Sequence, residues 1–89
     1  MAKLKLESKK RVKSDLEKLP RFIQETIIQA IEALSGNPFP HGKKIKPIKG
    51  AKNLYRLRVG DYRVIYELKE KTITVLAVLH RRDLERFLK

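Results

Sequence analysis

The sequence predicts an α+β fold in which two N-terminal antiparallel helices pack on a small antiparallel sheet, in the order β-α-α-β-β-β with a short C-terminal helix. Three observations carry that expectation. From Leu54 to His80 apolar and polar side chains alternate with period two over three consecutive runs. Upstream, Val12, Leu16 and Leu19, and then Phe22, Ile23, Ile27, Ala30, Ile31 and Leu34, recur at helical spacing on either side of Pro20. Sheet and helical hairpin each present one apolar face, and two such faces are stable when they cover each other.

Taken in order, Lys3–Glu7 alternates Leu4 and Leu6 with charges, the pattern of a short edge strand, and Ser8 is placed to cap the next helix. That helix keeps Lys10, Arg11, Lys13, Asp15, Glu17 and Lys18 on its wet side and ends at Pro20, which suits the first turn of the second helix. Gly36-Asn37-Pro38 stops the second helix. Residues 36–52 hold three prolines and three glycines, so this segment is expected to cross the surface without a regular element of its own.

Leu54–Val59 and Tyr62–Leu68 flank Gly60-Asp61, a two-residue loop whose leading glycine accepts the positive φ of a primed hairpin turn. Lys69–Lys71 leads into Thr72–His80. With two-residue loops at Gly60-Asp61 and Glu70-Lys71, Val59 faces Tyr62, Arg58 faces Arg63, Leu57 faces Val64, Tyr55 faces Tyr66, and Val64 faces Ala77. Alternation then gives one face Tyr55, Leu57, Val59, Tyr62, Val64, Tyr66, Leu68, Ile73, Val75, Ala77 and Leu79. The other face receives Arg56, Arg58, Arg63 and His80 among Ile65, Leu76 and Val78, with Arg82 following if the chain stays extended. Leu84, Phe87 and Leu88 suffice for a short terminal helix packed on an edge.

A chain of 89 residues is expected to form a single domain, residues 1–89, with an economical core. The net charge of +12, from 22 Lys and Arg against 10 Asp and Glu, calls for an acidic partner, most often nucleic acid, although an anionic membrane surface or an acidic protein would satisfy it too. Without cysteine there is no disulfide framework and no thiolate metal site. Two distant histidines and scattered carboxylates lack metal-ligand spacing, so neither metal nor cofactor is expected. MAKLKLESKK lacks the apolar core of a signal peptide and no apolar run reaches membrane-spanning length, which makes a cytoplasmic protein without a membrane the expectation.

The charge is concentrated. Between His41 and Arg63 stand Lys43, Lys44, Lys46, Lys49, Lys52, Arg56, Arg58 and Arg63 against one acid, Asp61. Like charges directly opposed across a strand pair are destabilising, so Arg58 facing Arg63 is a placement that folding alone disfavours and an anionic ligand explains. Lys43, Lys44, Lys46 and Lys49, together with Arg81, read as RNA-binding residues that contact phosphates, with the loop lysines separable from any chemistry.

The run YRLRVGDYRVIY, followed by a strand and His80-Arg81-Arg82, resembles the signature of the RelE/ParE toxin superfamily. The helical hairpin broken at Pro20 and the approach NPFPHGKKIKPIKG are similar to the same pattern, so the resemblance covers nearly the whole chain. It implies a RelE-like fold and a toxin of a type II toxin–antitoxin pair. In the RelE branch it implies a ribosome-dependent endoribonuclease that cuts mRNA in the decoding site, with Arg56, Arg58, Arg63 and Arg82 contacting or polarising the scissile phosphate. In the ParE branch the target is DNA gyrase. The implied partners are a cognate acidic antitoxin of RelB type, the ribosome and its mRNA, with operator DNA reached only through the antitoxin, and no cofactor. Many relatives carry a tyrosine three or five residues past the second arginine, where this chain has Glu85 and Phe87.

Cleavage by RNA's own 2′-hydroxyl needs a proton acceptor, a proton donor and positive charge on the phosphorane. Arginines supply the charge; His80, Glu85 and His41 are the candidate proton carriers, and of these strand parity puts only His80 on the arginine face. A histidine ending a strand also serves as a capping or packing residue. Ile65, Leu76 and Val78 on that face would leave apolar area for an acidic, apolar-faced antitoxin element. Two other readings stand beside the endoribonuclease: a ParE-like or degenerate toxin blocking a protein target, and a plain basic RNA-binding module.

Overall fold

The computed structural model describes residues 4–39, 42 and 44–88, so His41 and Lys43 lie outside the described residues. Chain order is β1 (Lys5–Ser8), α1 (Lys10–Glu17), α2 (Arg21–Ala33), β2 (Ile45–Pro47), β3 (Leu54–Val59), β4 (Tyr62–Lys69), β5 (Thr72–His80), a 3-10 turn (Arg81–Asp83) and α3 (Leu84–Leu88). The strands form one sheet in the order β1-β5-β4-β3-β2. This is the expected α+β class, reached by the expected means: Val12 of α1 and Ile27 and Ile31 of α2 are buried against Leu57, Val64, Tyr66, Ile73 and Val75 of the sheet. Among the described residues no helix is long and apolar enough to cross a membrane.

Several local expectations are corrected. Ser8 is not the helix cap; it ends β1, and Lys9 takes the cap position without a side-chain bond. The Lys9 N–H instead donates to the Val75 carbonyl at 2.9 Å, so the strand ladder runs directly into the helix. The sheet is mixed, because β1 pairs in parallel with β5, Leu6 facing Ile73. Parallel pairing requires a long crossover, and everything between these two strands supplies it.

The segment expected to be irregular contains β2, which pairs antiparallel with β3 through Ile45↔Leu57, Lys46↔Arg56 and Pro47↔Tyr55. Two forces favour it. Ile45 and Ile48 are buried, at 3% and 6% exposure, and the outer edge of β3 otherwise presents unpaired backbone groups. Pro47 is tolerated because β2 is itself the sheet edge, where a missing N–H costs nothing in the ladder.

The β3–β4 register is the expected one, Arg58 facing Arg63 and Tyr55 facing Tyr66, around a hairpin in which Gly60 has φ +57°. The β4–β5 register is not. Val64 faces Val78 rather than Ala77, because the ladder steps from Ile65↔Ala77 to Tyr66↔Val75 and leaves Leu76 as a bulge. One extra residue reverses the facing of every β5 side chain beyond it. Val78 turns under the helices, while Ile65, fully buried, packs with Ile48 and Leu84 on the opposite face, joined by Leu76, Leu79 and Phe87. The apolar area expected to stay open beside the arginines is therefore covered by α3 and the turn after β2.

Candidate nucleic-acid interface

Period-two alternation sets Arg56 and Arg58 of β3 on one face, and the hairpin register places Arg63 of β4 directly opposite Arg58. On the other flank β2 adds Lys46, opposite Arg56, and the turn just before β2 adds Lys44, whose carbonyl accepts the Arg58 N–H at 2.7 Å. Lys44, Lys46, Arg56, Arg58 and Arg63 line one cleft of about 120 Å³, with no acidic side chain among them. Five cations without an acid repel one another, so an anion entering the cleft relieves a cost already present in the empty fold.

The Arg63 guanidinium is the best-fixed member. Its Nη1 donates to the carbonyls of Gly60 (3.0 Å) and Tyr62 (2.8 Å), which holds the side chain against the hairpin. Burial lowers its pKa first, the cations Arg58, Arg56 and Arg81 lower it further, and Asp61 opposes them. Arg81 thus belongs to the same field. It is anchored there by its N–H, which donates to the Asp61 carbonyl at 2.8 Å, and by an exposed pairing of Nε with the Asp61 carboxylate at 3.8 Å.

Arg56, Arg58 and Arg63 are brought together as strand parity foretold, and Lys44 and Lys46 join them. Two placements are corrected. Arg82 is not on this face, because the chain winds into the 3-10 turn after His80 instead of staying extended; Arg82 lines a second cleft with Lys18, Tyr62 and His80, while Arg81 adds its charge to the field at Arg63 without lining the first cleft. His80 is not on this face either, because the Leu76 bulge sets it opposite Tyr62, with the two rings edge-on at 5.4 Å. Its Nδ1 accepts the Arg82 N–H at 3.3 Å, the capping role. Lys49 is exposed in the turn after β2 and does not line the cleft, and Glu85 is exposed on α3. Lys43 and His41 lie outside the described residues.

The contribution of β2 had a signal in the alternation Lys44-Ile45-Lys46, masked by the surrounding prolines and glycines. Among the described residues no group of His, Cys, Asp and Glu could hold a metal ion.

A family model described as the ParE toxin of type II toxin–antitoxin systems, parDE, matches residues 6–85. Toxin RelE3 of Methanocaldococcus jannaschii is 39% identical over 72 residues, which is 79% of this chain and 82% of that protein. A chain in the crystal structure of the RelB–RelE antitoxin–toxin complex from Methanococcus jannaschii has a TM-score of 0.76 and 33% identity, covering 93% of this chain and 99% of that one. A chain in the archaeal RelE–RelB complex from Pyrococcus horikoshii has a TM-score of 0.75 and 30% identity, covering 90% and 97%.

Proposed function

Because the chain belongs to the ParE-type toxin family of type II toxin–antitoxin systems and its relatives are RelE toxins, we propose that it is a ribosome-dependent endoribonuclease that cuts mRNA. The observation that carries this reading is the acid-free cleft formed by Lys44, Lys46, Arg56, Arg58 and Arg63. In the proposed reaction the 2′-oxygen attacks the neighbouring phosphorus as the bond to the 5′-oxygen breaks. The products are a 2′,3′-cyclic phosphate and a 5′-hydroxyl.

The developing phosphorane carries more negative charge than the diester, so preplaced cations stabilise the transition state more than the ground state. Guanidinium groups fork onto two phosphate oxygens at once, whereas the lysines add point charge. Among the described residues no histidine, carboxylate or tyrosine lines the cleft. The protein's part is therefore charge and orientation, with the 2′-hydroxyl proton leaving to water or ribosomal groups and water returning one to the 5′-oxygen. Arg63, though depressed, stays a cation at neutral pH and serves as a clamp, not as a base.

The partner is an antitoxin; in this reading it is acidic and of RelB type, and operator DNA is contacted only through it. Primer extension on mRNA translated with the protein present tests the function. Cleavage by the wild type and its loss in Arg58→Ala are the expected results. Growth arrest by both proteins with no mRNA cut would replace this reading with the family's other one, a protein target such as gyrase.

A further inference from the structure

A second cleft, about 340 Å³, opens between α1, the end of β5 and the 3-10 turn. It lies outside the first group, and its wall holds Lys18, Tyr62, His80 and Arg82, with Arg11, Asp15 and Asp83. Arg11 and Asp15 are committed to each other and to the fold. Asp15 accepts from the Val78 N–H at 3.0 Å and from Arg11 at 3.1 and 3.3 Å, and Arg11 lies over the Phe87 ring at 5.4 Å. That pair is internally neutral. Lys18 and Arg82 have no ion-pair partner among the described residues, so against Asp83 the cleft keeps an excess of positive charge.

His80 adds a directed donor. Since Nδ1 accepts the Arg82 N–H, the neutral ring carries its proton on Nε2. The edge-on Tyr62–His80 pair supplies an aromatic wall, the surface on which single-stranded nucleic acids rest their bases. Arg81 and Arg82 are consecutive, yet Arg81 acts on Arg63 whereas Arg82 lines the second cleft. The 3-10 turn thus carries one cation whose charge is felt by Arg63 and another that lines the second cleft.

We propose that the cleft between α1 and the 3-10 turn is a second phosphate subsite, in which Lys18, Arg82 and the His80 Nε2–H hold the same single-stranded RNA that occupies the arginine–lysine cleft. The inference rests on the proposed RNA-cleaving function and adds a footprint longer than the scissile step.

Length-dependent binding tests it. Fluorescently labelled RNAs of two and of eight nucleotides, with 2′-O-methyl sugars to prevent cutting, are titrated into wild type, K18Q/R82Q and K18R/R82K over a range of salt concentrations. The double glutamine variant is expected to bind the dinucleotide as the wild type does. It should bind the octamer several-fold more weakly, with the slope of log K against log salt smaller by about 0.7, the value for one phosphate on a single strand. K18R/R82K should keep the wild-type slope, and all three proteins should unfold at similar temperatures.

Unchanged octamer binding in K18Q/R82Q overturns the subsite. So does an equal loss for both lengths, or two octamers bound per chain, which would mean that the cleft takes a separate strand. Weakened binding of the antitoxin with RNA binding intact makes the cleft a protein contact instead. Wild type that binds the octamer no more tightly than the dinucleotide also overturns the subsite, whereas the RNA-cleaving reading itself stands or falls on primer extension.

Discussion

Arg58 and Arg63 face each other across the hairpin with nothing acidic in their cleft, a juxtaposition that costs up to about 1 kcal/mol. Arg58→Ala is expected to slow mRNA cleavage by about a hundredfold, comparable to losing one oxyanion donor, while stability holds or rises. Ribosome-programmed cleavage read beside thermal unfolding checks it, and a fall in both would make Arg58 structural. Arg63→Ala should lose as much activity with less gain in stability, because the guanidinium also donates to Gly60 and Tyr62. Arg63→Lys should recover part of the rate, since an ammonium restores charge without the planar fork. Tyr66 gives a pH signature. Burial raises its phenol pKa, and its hydroxyl donates to the Pro38 carbonyl at 2.6 Å. Linkage fixes the sign: the stabilisation is complete below the ordinary tyrosine pKa of about 10 and is lost as pH rises from there toward the folded-state value. Stability measured by denaturant titration should therefore fall steeply above that pH in wild type and less in Tyr66→Phe, which should itself lose about 1 kcal/mol at neutral pH. Identical alkaline profiles would remove Tyr66 as the cause.

At the scale of elements, β2 changes what the lysines do. As residues of an irregular loop, Lys44, Lys46 and Lys49 would be separable from chemistry; paired on β3, Lys44 and Lys46 line the arginine cleft while Lys49 does not. K44Q/K46Q is accordingly expected to lower single-turnover cleavage at saturating ribosome by about tenfold or more, and Lys49→Gln to leave it unchanged. Equal effects of the two would return β2 to a mere tether. Ile45→Ala should cost about 2–4 kcal/mol, because the side chain is 3% exposed and its loss leaves a cavity beneath that same strand. The β4–β5 turn holds a removable strain: Glu70 and Lys71 both have positive φ, at +52° and +64°, without being glycine. Lys71→Gly is expected to stabilise the fold by about 1 kcal/mol, visible as a higher unfolding temperature with unchanged cleavage.

Over the whole molecule, the net charge of +12 should make antitoxin association fast and strongly salt-dependent; stopped-flow rates independent of ionic strength would count against an acidic partner. The origin of the docking surface is revised, because Ile65 and Leu76 lie under or beside α3 and the turn after β2 rather than open beside the arginines. The class of fold, the helical hairpin at Pro20, and the β3–β4 hairpin with its facing arginines were all legible in the order of residues alone. Each is set by neighbours in the chain: apolar period, a proline, and a glycine-first turn that leaves one register. The pairing of β1 with β5, the existence of β2, the bulge at Leu76 and the winding of the chain after His80 were settled by tertiary contacts. Those features depend on which distant backbone offers a hydrogen-bond partner and which buried side chain fits, as where Asp15 meets the Val78 N–H 63 residues away. For the site this decided two placements: the bulge and the 3-10 turn took His80 and Arg82 away from the arginine face, because a strand's period of two carries no record of where one extra residue is inserted.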